Sequence, residues 1–334
     1  MRKFGRFLVG CSPWLVIAGL LLAAIYLEPA AVEDAVQPAA VSDNDRFYDV
    51  AHANPDALWM VGNMGKIVYS ADGGEAWVEQ STPVDRTLQS VVAWDHDTLV
   101  AVGDGGVVLR TSDGGTTWEQ VAAPVSEIAD KLIRVRRMDD GTAWITGEFG
   151  TVLVSRDRGR TWVDATADEE DVTWHDIAGN GEFLCVVGEF GRIKVSRDGG
   201  ATWTEVESPV AGTLNSVAFR DADHGVAVGL QGAVVITSDG GATWEALSPI
   251  AEEHLYSVTW SGGAWMVAGD KGVVARAGAS ARDWETGRIS NRDYGWHTGM
   301  AAVDGRWLLA GMSNGFFADG EWRRIGGRLG ETNS

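Results

Sequence analysis

Short stretches in which every second residue is apolar recur along the chain, starting at Phe47, Leu88, Leu132, Trp174, Leu214, Leu255 and Trp296. Alternation with a period of two predicts strands with one buried face. Each stretch is followed by an apolar run that ends in a glycine, two further residues and usually a second glycine. The copies are Val61-Gly62-Asn63-Met64-Gly65, Val102-Gly103-Asp104-Gly105-Gly106, Thr146-Gly147-Glu148-Phe149-Gly150, Val187-Gly188-Glu189-Phe190-Gly191, Val228-Gly229-Leu230-Gln231-Gly232, Ala268-Gly269-Asp270-Lys271-Gly272 and Ala310-Gly311-Met312-Ser313-Asn314. Two residues between glycines, flanked by apolar runs, predict a tight hairpin whose positive-φ positions fall to Gly or Asn.

A third landmark closes each unit. The segment Ser70-Ala71-Asp72-Gly73-Gly74-Glu75-Ala76-Trp77 returns around Asp113, Asp157, Asp198 and Asp239, and degenerate copies end at Trp284 and Trp322. The seven tryptophans, from Trp77 to Trp322, lie 41, 44, 41, 41, 40 and 38 residues apart. Each unit thus holds four strands: an alternating strand A, a strand B ending at the first glycine, a strand C after the second, and a strand D starting at the tryptophan. Four strands per unit of about 40 residues is the arithmetic of a propeller blade. The fold class is therefore all-β: a seven-bladed β-propeller of four-stranded blades, preceded by an N-terminal transmembrane or signal helix. One blade cannot bury both faces, so each repeat tryptophan is expected to pack between neighbouring blades. Seven complete units need no strand exchange between the ends, although residues 36–44 could add an edge strand to the last blade.

The leader follows from charge. Arg2, Lys3 and Arg6 precede Phe7–Leu27, an uncharged run of 21 residues. This length spans a bilayer, and the preceding positive charges direct the rest of the chain outward. The run reads as an uncleaved anchor or as a signal peptide cleaved near Ala30-Ala31 or Ala39-Ala40. The organisation is 1–27 signal anchor or signal peptide, 28–44 linker, 45–326 propeller and 327–334 tail. The location is the periplasmic or lumenal side, anchored through residues 7–27 in the inner membrane or secreted after cleavage.

Composition narrows the partners. The formal charge of −20 argues against nucleic acid, which needs a basic field. Arg134, Arg136 and Arg137 form the one dense basic cluster. Cys11 and Cys185 make no disulfide framework, and the six scattered His give no zinc pattern, so neither a metal nor a cofactor is expected.

The Ser/Thr-x-Asp-x-Gly-x-Thr-Trp element is the Asp box, and residues 45–326 resemble the photosystem II stability/assembly factor family. That resemblance implies a non-enzymatic, exported, monomeric propeller that docks a protein client of a membrane complex. Photosynthetic members carry a basic patch that receives part of a reaction-centre subunit, whereas this chain is acidic, which implies a different client. Relatives outside phototrophs look like envelope proteins of unassigned role.

Asp72, Asp113, Asp157, Asp198 and Asp239 recur identically, which marks them as structural Asp-box residues bonding their own turns. No catalytic residue is assigned. A sialidase would need three converging Arg, an acid and a Tyr nucleophile, together with an early Arg-Ile-Pro element that is missing here. The alternative is a glycan-binding or glycoside-hydrolysing Asp-box protein, since an inverting glucanase needs only two carboxylates. Aligned strands A place Tyr48, Gln89, Ile133, His175, Asn215, Tyr256 and His297 at one position near the channel mouth. The B-to-C turns add Asp104, Glu148, Phe149, Glu189, Phe190 and Asp270 on the same face, joined by the acidic run Asp168-Glu169-Glu170-Asp171. The partner-binding expectation is therefore Tyr48, Asp104, Glu148, Phe149, His175, Glu189, Phe190, Tyr256, Asp270 and His297. A basic or amphipathic protein segment would dock there, with Phe149 and Phe190 as apolar anchors.

Overall fold

The computed structural model describes residues 39–125, 130–166 and 171–326. The apolar leader 7–27, the tail 327–334 and Asp168, Glu169 and Glu170 lie outside the described residues. Among the described residues no helix is long and apolar enough to cross a membrane.

Seven four-stranded antiparallel sheets follow one another in chain order, each built from four consecutive strands. The inner strands are Phe47–His52, Leu88–Ala93, Leu132–Arg137, Trp174–Gly179, Leu214–Phe219, Leu255–Ser261 and His297–Val303. Each second strand is buried along most of its length and ends at the first glycine of the turn, from Leu58–Gly62 in blade 1 to Arg306–Gly311 in blade 7. Five of the turns that follow are single 3-10 turns, such as Asn63–Gly65 and Glu189–Gly191.

The two glycines of each turn have different causes. At Gly62 the backbone is extended, and a side chain there would meet the Arg46 carbonyl at 2.1 Å. The first glycine is thus required by close approach. Gly65 has φ 69° and abuts the Val84 carbonyl. Between them, however, the left-handed position belongs to Met64, Phe149, Phe190, Gln231 and Lys271 in five blades, with φ of 49–58°. The expectation that Gly or Asn would take every positive-φ position is corrected: the turn geometry holds even where the side chain resists it.

The core is distributed in seven seams between adjacent blades. Trp59, Leu88, Leu109 and Trp118 share the seam between blades 1 and 2. Each repeat tryptophan enters the seam between its own blade and the preceding one, as Trp162, Trp203, Trp244, Trp284 and Trp322 do in turn. Trp77 packs into the closing seam between blades 7 and 1.

Among the described residues ring closure uses no exchanged strand, and the sheet of blade 7 holds four strands. The segment before blade 1 closes the ring by side chains instead. Val41, only 4% exposed, joins the blade 7–blade 1 core, and Asp43 pairs with Arg324 at 3.0 Å. Residues 40–44 therefore pack on the propeller and do not behave as linker, because the closing seam has an apolar site for Val41.

Candidate functional site

The chain enters each inner strand on the face that also carries the B-to-C turns, and the Asp boxes lie on the opposite face. Every inner strand carries a register shift at its second residue, so that two residues oppose one on the neighbouring strand. Such a bulge re-aims the extra side chain. The bulged residues are Tyr48, Gln89, Ile133, His175, Asn215, Tyr256 and Thr298, all half-buried.

Thr298, not His297, completes this set. His297 pairs with Gly311 as Phe47 does with Gly62, so it holds the buried core position of blade 7 and is 1% exposed. Its Nε2 lies 3.1 Å from the Ser313 hydroxyl, which in turn donates to Asp293. Burial pushes its imidazole below the ordinary value, against the opposing pull of Asp293. Its expected place at the mouth is a misalignment by one residue, because strand A of blade 7 starts at His297 and not at Trp296.

The remaining expected residues do share the face. Tyr48 stacks on Trp296 with ring centroids 5.1 Å apart, and burial with the nearby Asp104 carboxylate raises its phenol. Asp104 accepts from Gln89 Nε2 at 3.0 Å and lies 3.7 Å from Lys131 Nζ. Glu189 accepts the Thr173 backbone N–H at 2.9 Å. Burial holds the His175 imidazole below its ordinary value, and Glu189 opposes that shift only in part. Burial and Asp270 raise the Tyr256 phenol. Glu148 stands half-buried beside Phe149, and Phe149 and Phe190 are exposed. Asp171 is exposed where the chain approaches blade 4.

Below the bulges runs an arc of polar side chains across blades 1 to 5 that sequence reading missed. Asp49 accepts from the Ser90 hydroxyl at 2.5 Å, one blade on. Arg134 lies between Asp49 at 3.4 Å and Asp176 at 3.8 Å. Arg136 donates through both Nε and Nη2 to Asp176, each at 2.9 Å, and the Ser216 hydroxyl completes the set at 2.7 Å. Burial alone would push the Asp176 carboxyl up, but Arg136, Arg134 and Ser216 hold it below the usual carboxylate range. The basic cluster is thus largely spent inside the channel, with only Arg137 exposed. The available signal was a polar residue at the third position of each of the first six inner strands, with Gly299 in the seventh.

The Asp boxes act within their own turns. Asp198 accepts the Thr202 N–H at 2.9 Å and the Thr202 and Ser196 hydroxyls, and the Ser196 hydroxyl also receives the Gly200 N–H. Those bonds, the Thr202 hydroxyl first, lower the Asp198 carboxyl to about 2. Carboxylates so engaged are held as anions for the turn. Among the described residues no cluster of His, Cys, Asp and Glu could hold a metal ion.

A family model described as Photosynthesis system II assembly factor YCF48 matches residues 29–128 and 195–313, well over half of the chain. No curated protein matches the chain. Among solved structures, a YCF48 bound to a D1 peptide superimposes with a TM-score of 0.63 at 17% identity, covering 80% of this chain and 90% of that one. YCF48 from Cyanidioschyzon merolae superimposes with a TM-score of 0.64 at 15% identity, covering 84% and 95%. The WD40 propeller domain of Doa1 is as similar in shape, with a TM-score of 0.66 at 13% identity over 80% and 90%. At these identities the structural likeness shows the fold alone.

Proposed function

Because this chain belongs to the Photosynthesis system II assembly factor YCF48 family, we propose that it is a non-catalytic scaffold that docks a protein client of a membrane complex on its turn face. The observation that carries this reading is the set of seven bulges. One backbone device, repeated in every blade, presents chemically different side chains at the channel mouth: Tyr48, Gln89, Ile133, His175, Asn215, Tyr256 and Thr298. A repeat keeps a residue where geometry dictates it and varies it where geometry does not, which leaves these seven positions free to serve a ligand. The D1 peptide held by a solved YCF48 supports peptide docking as a use of this fold.

The acids of the turns set the chemistry of the client. Asp104, Glu148, Glu189 and Asp270 surround the mouth of a chain that carries −20 overall, which favours a basic segment. On this reading the propeller works on the periplasmic or lumenal side, tethered through residues 7–27 or released by cleavage. The test is affinity capture from solubilised membranes with the full-length tagged chain, beside a variant carrying Asp104→Asn, Glu148→Gln and Glu189→Gln. The expected result is one membrane-complex protein enriched by the wild type, lost by the variant and released by salt, since exposed charges are screened over about 8 Å at physiological ionic strength. Capture that ignores both salt and the three substitutions would place docking elsewhere.

A further inference from the structure

Five apolar side chains stand out of the turn face. Met64 is 75% exposed, Tyr294 72%, Phe190 68%, Phe149 51% and Met312 44%. Single exposed apolar residues are ordinary, but these share one face, and three of them sit where the backbone resists a side chain. Met64, Phe149 and Phe190 hold the left-handed position of their turns, with φ of 55°, 51° and 58°. Blade 2 makes the same turn with Gly105 at that position. The turn therefore does not need a bulky residue, and Met64 and Phe190 keep about two thirds or more of their surface in water and Phe149 about half. Gln231 and Lys271 hold the same position in blades 5 and 6, so the strain alone is not the signal. What points to function is strain borne by apolar side chains that stay half or more in water.

The five residues form two arcs. Blades 7 and 1 carry Tyr294, Met312 and Met64, next to the Tyr48–Trp296 stack. Blades 3 and 4 carry Phe149 and Phe190. Blade 2 lies between the arcs and presents Asp104, which Lys131 at 3.7 Å balances only in part, while Glu148 and Glu189 adjoin the two phenylalanines in sequence. We infer that the turn face seats a cationic amphipathic helix of the client, whose apolar residues enter the two arcs while its Lys and Arg face Asp104, Glu148 and Glu189. This rests on the docking reading above, names its segment class and adds Met64, Tyr294 and Met312 to the contact. An extended segment adding to a sheet fits less well, because the free strand edges run along the channel and the rim and not across this face. Flexible methionines adapt to helices of different sequence.

The experiment uses the full-length chain in a non-ionic detergent and two fluorescent 18-residue probes of equal charge, one a Leu/Lys helix and the other an Ala/Lys helix. Fluorescence anisotropy is expected to show the Leu/Lys helix binding about tenfold tighter or more, because anchors that fill apolar sites dominate affinity. Phe149→Gly with Phe190→Gly should remove that preference, and Met64→Gly with Met312→Ala should weaken it several-fold. The glycine variants should keep or raise Tm by about 1–3 °C, as relief of left-handed strain offsets the flexibility of glycine. Equal binding of the two helices, wild-type binding by the glycine variants, or a fall in their Tm would each overturn the inference. Attachment to zwitterionic vesicles that the glycine variants lose, with no helix preference, would assign the arcs to lipid and overturn it too. Client capture that needs the acids but ignores the glycine substitutions would remove this inference and leave the docking reading standing.

Discussion

Arg136 holds Asp176 by two parallel hydrogen bonds of 2.9 Å, from neighbouring blades and at a carboxylate with no exposed surface. Two bonds in a fork fix direction as well as distance. The pair belongs to the arc of polar contacts that runs from Asp49 through Arg134 to Ser216, so it ties blade 3 to blade 4 at their inner strands.

Arg136→Ala should therefore destabilise the full-length protein by about 3 kcal/mol. Losing Arg136 leaves the buried carboxylate with only Arg134 at 3.8 Å and the Ser216 hydroxyl to balance it. The figure sits at the low end of the range for a broken buried pair because that balance remains and a third of the Arg136 side chain still meets water. Urea unfolding measures it. A loss under about 1 kcal/mol would mean that these polar contacts add little to the blade packing.

Acid should weaken the propeller in two separate windows. Burial holds His52, His175 and His297 below their ordinary value of 6.5, with Arg137 adding to the effect at His52. Above that value neither state is protonated and nothing is lost. As the pH falls below 6.5 the unfolded chain binds protons that the folded chain refuses, so stability drops. The Asp-box carboxylates act later: Asp113 and Asp198 titrate at about 2 when folded, against 3.8 ordinarily, so their contribution fades only as the pH falls from about 4 towards 2. Melting curves from pH 8 to pH 3 should show Tm beginning to fall as the pH drops below about 6.5, ahead of the Asp-box loss, and His297→Asn should flatten part of that first fall. A Tm that stays level down to pH 5 would contradict the buried neutral imidazoles.

Gly200 and Gly320 make a matched pair. Both are left-handed, with φ of 83° and 81°, but a Cβ on Gly200 would lie 2.3 Å from the Trp144 ring while one on Gly320 meets nothing within 4 Å. Trp144 is fully buried and cannot yield. Both Ala substitutions pay the same backbone strain, so Gly200→Ala should cost about 1–3 kcal/mol more than Gly320→Ala through overpacking alone. Equal losses in denaturant unfolding would show that the seam between blades 3 and 4 yields to the extra methyl group.

Ser196→Ala tests the Asp box without touching its carboxylate. The Ser196 hydroxyl is buried and receives the Gly200 N–H at 2.9 Å. Removing it strands that donor, at a cost of about 1–3 kcal/mol, with client capture unchanged wherever the domain stays folded. Lost capture at full stability would turn the Asp-box face into the docking face.

The number of blades, the turn glycines and the Asp boxes were legible from residue order alone. Each is a local demand repeated seven or five times: Gly62 and its six counterparts lie against the backbone entering the inner strand, and Asp198 bonds residues within four positions of itself. The candidate face was legible for Tyr48, Asp104, Glu148, Phe149, Glu189 and Phe190 because the turns that carry them are in the repeat. His297 was misplaced because the seventh copy is the least regular and a bulge moves the register by a single residue, which only the Gly311 pairing fixes.

What the tertiary structure decided is the fate of charge and the price of shape. Asp49, Arg134 and Asp176 lie about 40 residues or more apart in sequence, and nothing local says that three inner strands bring them within 4 Å. A sequence repeats its turns because each turn answers to its own backbone. It cannot show that a channel narrow enough for Arg134 to reach two blades buries its charge between two carboxylates, since that depends on the closure of the whole ring.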